Sequence, residues 1–260
     1  MWKVVYATDF SEHSVKAMNV ILRYKNLIEE VILVRVINIH KFAIFGRDNL
    51  IEEEKRVSLE KLKEIEALFY SNGLKCRSFL RVGDPAEEIV KLAEKVGADI
   101  IVMGHRGRSF LKKILLGSVA EGVVKISNNP VLVVRGGINI FSKILYVHYP
   151  LDLTFPEILK NIPYDKLYVL HVVEPMLPPE STTHVMEEKL KKAEEILEKI
   201  ADELGGEPLV KVGGVSDTII KTAKELGVGC VVLRIKRFSR VTDSILRFSK
   251  NSVLIVKYKN

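Results

Sequence analysis

Met103-Gly-His-Arg-Gly-Arg-Ser-Phe-Leu-Lys-Lys-Ile-Leu-Leu-Gly-Ser-Val119 is the stretch on which the reading of this chain turns. Its skeleton is Gly104, two residues, Gly107, nine residues, then Gly117-Ser118. The apolar run Ala98 to Met103 before it reads as a strand buried on both faces. Val119 to Ser127 after it has helical spacing and stops before Pro130. Glycines at a strand's C-terminal end let the backbone turn tightly and bring N–H groups close to an anion. A Gly-Ser pair at a helix start adds free N–H donors, the positive end of the helix dipole and a hydroxyl. Together they read as a phosphate cradle assembled from two places in the chain.

Outward from this stretch, periodicity alternates between apolar strands and amphipathic helices. Lys3 to Ala7 reads as a strand, and Ser11 as the cap of a helix to about Leu27 with Val15, Met18, Ile21 and Leu22 inward. Glu30 to Ile37 is a second strand, Ile51 to Tyr70 a long helix ended by Asn72-Gly73, and Lys75 to Val82 a third strand. Asp84 and Pro85 open a helix that Gly97 closes, and Val131 to Val134 is the last strand. Strands separated by helices make a parallel sheet with right-handed crossovers, and ligands bind where strand order reverses. A reversal between the first and fourth strands would put Asp9 beside the glycine loop.

The chain also repeats itself. Lys3-Val-Val-Tyr6 returns as Lys143-Ile-Leu-Tyr146, and Asn129-Pro-Val-Leu-Val-Val134 as Asn251-Ser-Val-Leu-Ile-Val256. Ile89-Val-Lys-Leu-Ala-Glu-Lys-Val-Gly97 returns as Ile219-Ile-Lys-Thr-Ala-Lys-Glu-Leu-Gly227. Two copies of one domain are expected, 1–137 and 138–260, joined near Gly136-Gly137. At 260 residues the chain is long enough for two cores. No apolar stretch is long enough to span a bilayer, so no membrane partner is expected. Net charge is +7, but both signs are interspersed along the helices and aromatics are only 7%, so nucleic acid is not an expected partner. Cys76 and Cys230 stand far apart with no metal-ligand spacing, which points to buried thiols, a reducing compartment and a cytoplasmic location.

The glycine pattern, Ala7-Thr-Asp-Phe-Ser11 after the first strand, and the closing Asn128-Asn-Pro-Val-Leu-Val-Val134 resemble the nucleotide-binding universal stress protein family. The resemblance runs once per half, as in a tandem member. It implies an α/β fold of two Rossmann-like domains, of the adenine nucleotide alpha hydrolase-like kind. Each would be a five-stranded parallel sheet with helices on both faces. It implies that Ala7 and Asp9 border the adenine and ribose, and that Val36 meets the base. Met103 and Gly104 would lie under the ribose and α-phosphate, and Gly107, Gly117, Ser118 and Val119 would hold the phosphates. Arg108 reads equally as a phosphate partner or as a solvated arginine. The implied cofactor is ATP, or AMP or ADP, with Mg2+ or Mn2+ held by phosphate oxygens rather than by protein ligands. Other copies of the chain are implied partners, through a pseudo-dimer of the two halves with their last strands paired, and a homo-oligomer beyond it.

The second half departs from this pattern. Tyr149 stands for Asp9, Arg234 and Arg237 for Gly104 and Gly107, and Ser239-Arg240 for Gly117-Ser118 across a shortened loop. One nucleotide per chain is therefore expected. Phosphoryl transfer needs an oriented nucleophile and charge stabilisation, and no residue outside the cradle supplies a base or a carboxylate pair. The expected role is a stress-response sensor or regulatory binding module. A slow ATPase and an interaction module with a vestigial pocket are the alternatives.

Overall fold

The computed structural model describes residues 1–38, 48–107, 116–175 and 183–258. The chain divides into two compact units, Met1–Ile138 and Asn139–Asn260. In the first, β1 (Trp2–Ala7), α1 (Glu12–Arg23), β2 (Ile28–Ile37), α2 (Asp48–Ser71) and β3 (Lys75–Val82) are followed by α3 (Pro85–Val96), β4 (Ile100–Gly104), α4 (Ser118–Ile126) and β5 (Val131–Val134). Within this unit the sheet order is β3-β2-β1-β4-β5, with parallel pairs. Strand order reverses between β1 and β4, as the sequence leads one to expect. The core is the doubly covered sheet: Val4, Val5, Tyr6, Ile32, Leu33, Ile100 and Ile101 are all essentially inaccessible.

Local chemistry accounts for the helix bounds. Asp84 accepts from the amides of Ala86 and Glu87, Pro85 sits in the first turn, and Gly97 closes α3 at φ +62, ψ 50. Ser11 caps α1, its hydroxyl accepting from the Ser14 amide at 3.3 Å. Two expectations for α1 need correcting. The helix stops at Arg23 and a separate 3-10 turn, Lys25–Leu27, leads into β2. Val15 is also 42% exposed, because the inward face is Ser14, Ala17, Met18, Val20 and Ile21. The buried serine sets that face. Ser14 Oγ donates to the Ser11 carbonyl at 2.8 Å and accepts from Thr8 at 3.1 Å, and Tyr6 donates to the Ser14 carbonyl at 2.8 Å. A polar residue so satisfied sits inside at little cost.

The second unit comprises β6 (Lys143–Val147), α5 (Ile158–Asn161), β7 (Lys166–Val173), α6 (Thr183–Leu204) and β8 (Glu207–Val212), then α7 (Val215–Glu225), β9 (Cys230–Ile235), α8 (Arg240–Phe248) and β10 (Ser252–Lys257). Its strands order as β10-β9-β6-β7-β8, again with parallel pairs. The register repeats the first unit: Ala7 pairs with Met103, and Val147 with Leu233. Arg234 thus follows its strand partner as Gly104 does. One element is not repeated. Where α1 supplies 12 residues of helix, the second unit has α5, with 4. Cys76 and Cys230 are buried and unoxidised in β3 and β9, and burial pushes both thiols up to about 12.

Candidate functional site

The C-terminal ends of β1 and β4 carry the residues that sequence reasoning singles out. Thr8 continues the β1 ladder by donating to the Val34 carbonyl at 2.9 Å. The chain then turns at Phe10, whose φ of +62 is uncommon for a bulky side chain. The Thr8 hydroxyl accepts from the Phe10 amide at 3.0 Å, and Asp9 Oδ1 accepts from the Ser11 amide at 3.1 Å. These bonds hold the turn and aim the other Asp9 oxygen across the strand ends. A Cβ on Gly107 would come within 2.5 Å of Asp9 Oδ2. Asp9 and the glycine loop therefore meet.

Gly104 and Gly117 are glycines for different reasons. A Cβ on Gly104 would lie 2.6 Å from the His13 carbonyl and 2.9 Å from the Ser14 amide, so α1 crosses the end of β4 only because no side chain stands there. Gly117 donates its N–H to the His105 carbonyl at 2.8 Å, and its α-carbon faces the Arg106–Gly107 backbone. That bond draws the start of α4 against the loop after β4. No side chain caps α4, so its first-turn N–H groups have no acceptor from a capping residue. Ser118 is exposed, Val119 half-buried and Ala120 buried at this entrance.

Around the entrance lies a basic cluster. The His13 and His105 rings sit 4.3 Å apart, and His105 Nδ1 donates to the Val134 carbonyl at 3.3 Å. Burial, then Arg135 and His13, push His105 down to about 3, and burial with Lys16 and Arg106 lowers His13. Both rings are neutral near pH 7. Burial and the nearby Arg106 lower the Arg135 guanidinium to about 10. Arg106 Nε and His13 Nδ1 are buried without a hydrogen-bond partner. Glycine backbone, an uncapped helix start and the unpartnered Arg106 Nε–H fit an anion. Sequence reasoning missed His13 and Arg135. Their proximity to the loop comes from strand pairing and helix crossing, not from any local pattern.

The remaining sequence candidates divide by position. Ala7 and Met103 pair across β1 and β4 at the strand ends, and both are buried. Val36 is buried in β2, paired in register with Arg81. Arg108 lies outside the described residues. Among the described residues no group of three or more His, Cys, Asp or Glu side chains is arranged to hold a metal ion, and no helix is long and apolar enough to cross a membrane.

The equivalent place in the second unit is filled and capped. Arg234 donates to Asp152 Oδ1 at 3.0 Å and to the Thr154 carbonyl at 3.1 Å, and its guanidinium lies 4.4 Å over the Tyr258 ring. Burial opposes ionisation of Asp152, but the Thr154 hydroxyl and amide and then Arg234 outweigh it and hold the carboxyl below its usual range. His148, equivalent to Thr8, is fully buried and donates from Nε2 to the Asp152 carbonyl at 2.8 Å, leaving Nδ1 to accept from Tyr146 at 3.0 Å. Tyr149 points outward, 63% exposed. Ser239 caps α8, accepting from the Thr242 amide at 3.2 Å. Arg234 and Ser239 thus stand where the first unit has Gly104 and Gly117, and both are internally bonded.

Two parallel five-stranded units, the first with a glycine loop at its strand-order reversal, define an α/β protein of the Rossmann-like kind. The chain belongs to the universal stress protein family, whose sequence profile matches residues 1–135. It is 42% identical over 156 residues to universal stress protein MJ0577 of Methanocaldococcus jannaschii, an alignment spanning 51% of this chain and 94% of that protein. Universal stress protein MJ0531 of the same organism is 39% identical over 138 residues, spanning 51% of this chain and 81% of its own. The crystal structure of a universal stress protein from Archaeoglobus fulgidus is similar over 100% of this chain and 97% of its own, at a TM-score of 0.74 and 25% identity.

Proposed function

We infer that the first unit binds an adenine nucleotide, ATP or its ADP and AMP relatives, and that the protein works as a stress-response sensor or regulatory module. One observation carries the reading. The two units share a strand register, yet α4 begins uncapped against a glycine loop while the equivalent α8 is capped by Ser239. A helix start without a side-chain cap suits phosphate. In this reading Gly107, Gly117, Ser118 and Val119 hold the phosphates, with Arg106 and Arg108 alongside. Asp9 takes the ribose, while Ala7, Val36, Met103 and Gly104 line the base and sugar. A bound nucleotide would supply phosphate oxygens for Mg2+ or Mn2+, so no protein ligand cluster is required. The second unit acts as a degenerate partner domain, 138–260 against 1–137, and copies of the chain associate. Buried reduced thiols suit the cytoplasm.

Turnover is the second reading. The neutral His105 stands at the loop, but its Nδ1 proton is committed to the Val134 carbonyl, which favours binding over efficient hydrolysis. Mass spectrometry of whatever small molecule is released on denaturing the purified protein tests the assignment. An adenine nucleotide at near one equivalent is the expected result. Protein that releases none, and titrates with none of ATP, ADP and AMP, would contradict it.

A further inference from the structure

Away from the glycine loop, β3 forms an outer edge of the first unit's sheet, and its two faces differ. Ser78 donates to Glu66 of α2 at 2.6 Å, so Cys76, Ser78 and Leu80 turn toward that helix. Lys75, Arg77, Phe79 and Arg81 occupy the other face. There Arg77, Phe79 and Arg81 line a groove of about 370 Å3 with Leu92, Lys95 and Val96 of α3. Glu30 forks onto Arg77 at 2.6 and 3.1 Å. Arg81 lies 5.9 Å over the Phe79 ring. Among the described residues neither Arg81 nor Lys95 has a carboxylate within ion-pair distance.

Basic side chains on a sheet edge often serve to discourage strand-to-strand aggregation. That role needs charge but no concavity, and here the cations surround an aromatic floor and aliphatic walls. We propose that the open edge of β3 and this groove form a docking surface for an extended acidic segment of a partner protein. The segment adds as a further strand. Its main chain pairs with the outward N–H and C=O groups of β3, which gives affinity, while alternate side chains give specificity. Cross-strand neighbours on one face stand about 4.5–5.5 Å apart at a two-residue period. Carboxylates opposite Arg77 and Arg81 with an apolar side chain opposite Phe79 complement the basic–aromatic–basic order, and Lys95 closes the groove from α3. None of these residues belongs to the proposed nucleotide site, so the two assignments stand or fall separately.

The test is fluorescence polarisation of the full chain with a labelled octapeptide Thr-Glu-Thr-Val-Thr-Glu-Thr-Thr (the Glu–Val peptide), whose Glu, Val and Glu share one face of a strand. Controls are the same octapeptide with Lys in place of Glu (the Lys–Val peptide) and the Glu–Val peptide N-methylated at alternate amides. Saturable binding of the Glu–Val peptide is expected, weakened at least tenfold by N-methylation and by Arg81→Glu with Lys95→Glu. An unchanged thermal midpoint shows that the double variant is folded. Should it not fold, Arg81→Gln alone should weaken binding at least threefold. Equal binding of the Lys–Val peptide, no binding at millimolar peptide, or full affinity in the variants would overturn the proposal. Full affinity of the N-methylated peptide would overturn strand addition and leave only a pocket for acidic side chains.

Discussion

At Gly117 the absent side chain does two things: it lets α4 start against the His105–Gly107 backbone, and it leaves the helix entrance open. A Cβ there would stand 3.3 Å from Arg106 Cα and 3.4 Å from the His105 carbonyl, contacts that a shift of a few tenths of an ångström relieves. Gly117→Val should therefore fold but lose nucleotide. A micromolar site is worth about 8 kcal/mol, and charge-assisted hydrogen bonds about 1.5–3 kcal/mol each. Losing two of them lowers affinity a hundredfold or more in calorimetric titration. Unchanged affinity would remove Gly117 from the site. At His105 the expectation concerns pH. Its folded pKa, about 3, lies below the usual value near 6.5, so the neutral ring stabilises the fold above pH 6.5. That contribution is lost as pH falls from 6.5 toward 3. His105→Gln should flatten the fall of the thermal midpoint between pH 7 and pH 4. A slope equal to wild type would show that the ring's burial does not govern acid stability.

The fate of α1 and the residue at the end of the fourth strand are coupled elements. Where α1 crosses β4, only glycine fits. Where α1 is replaced by the short α5, Arg234 occupies the same register and turns onto Asp152 and Tyr258. Gly104→Ala should cost about 1–3 kcal/mol by overpacking, read by urea unfolding, and a neutral result would show that α1 can move aside. The helix starts give a matching pair. Gly117→Ser installs in α4 the cap that Ser239 gives α8; it should hold stability within about 1 kcal/mol while weakening ATP, whose phosphates compete for the same N–H groups. Undiminished affinity would show that those groups are not used. Much of this was legible in the residues. Asp84, Pro85 and Gly97 carry their roles locally, so α3 was readable to the residue, and the arginines at 234 and 237 marked where the second unit departs from the glycine pattern. The Val15 face was misread because burial of Ser14 depends on Tyr6 and Thr8, which a hydrophobic pattern cannot register. The shrinkage of α1 to α5 had a local sign in Pro150 and Pro156, yet its consequence for Arg234 runs through tertiary contact. His13 and Arg135 escaped for the same reason: three separate elements bring them to the glycine loop.

For the whole molecule, duplication has produced two copies of one scaffold with opposite treatment of the same corner. In the first unit Asp9, the glycine loop and an uncapped helix start converge; in the second, Arg234 and His148 bond to the Asp152–Thr154 segment and Ser239 caps α8. Three separate components differ, so reversing one of them, as in Arg234→Gly, should not create a second site. The loss of Asp152's partner and of the Tyr258 stack should instead lower stability. The direct measurement is calorimetric titration of the full chain with ATP, run beside Gly117→Val. A stoichiometry near one nucleotide per chain, abolished by the substitution, is expected. Two equivalent sites per chain, or one site that survives in Gly117→Val, would contradict the assignment of binding to the first unit's glycine loop.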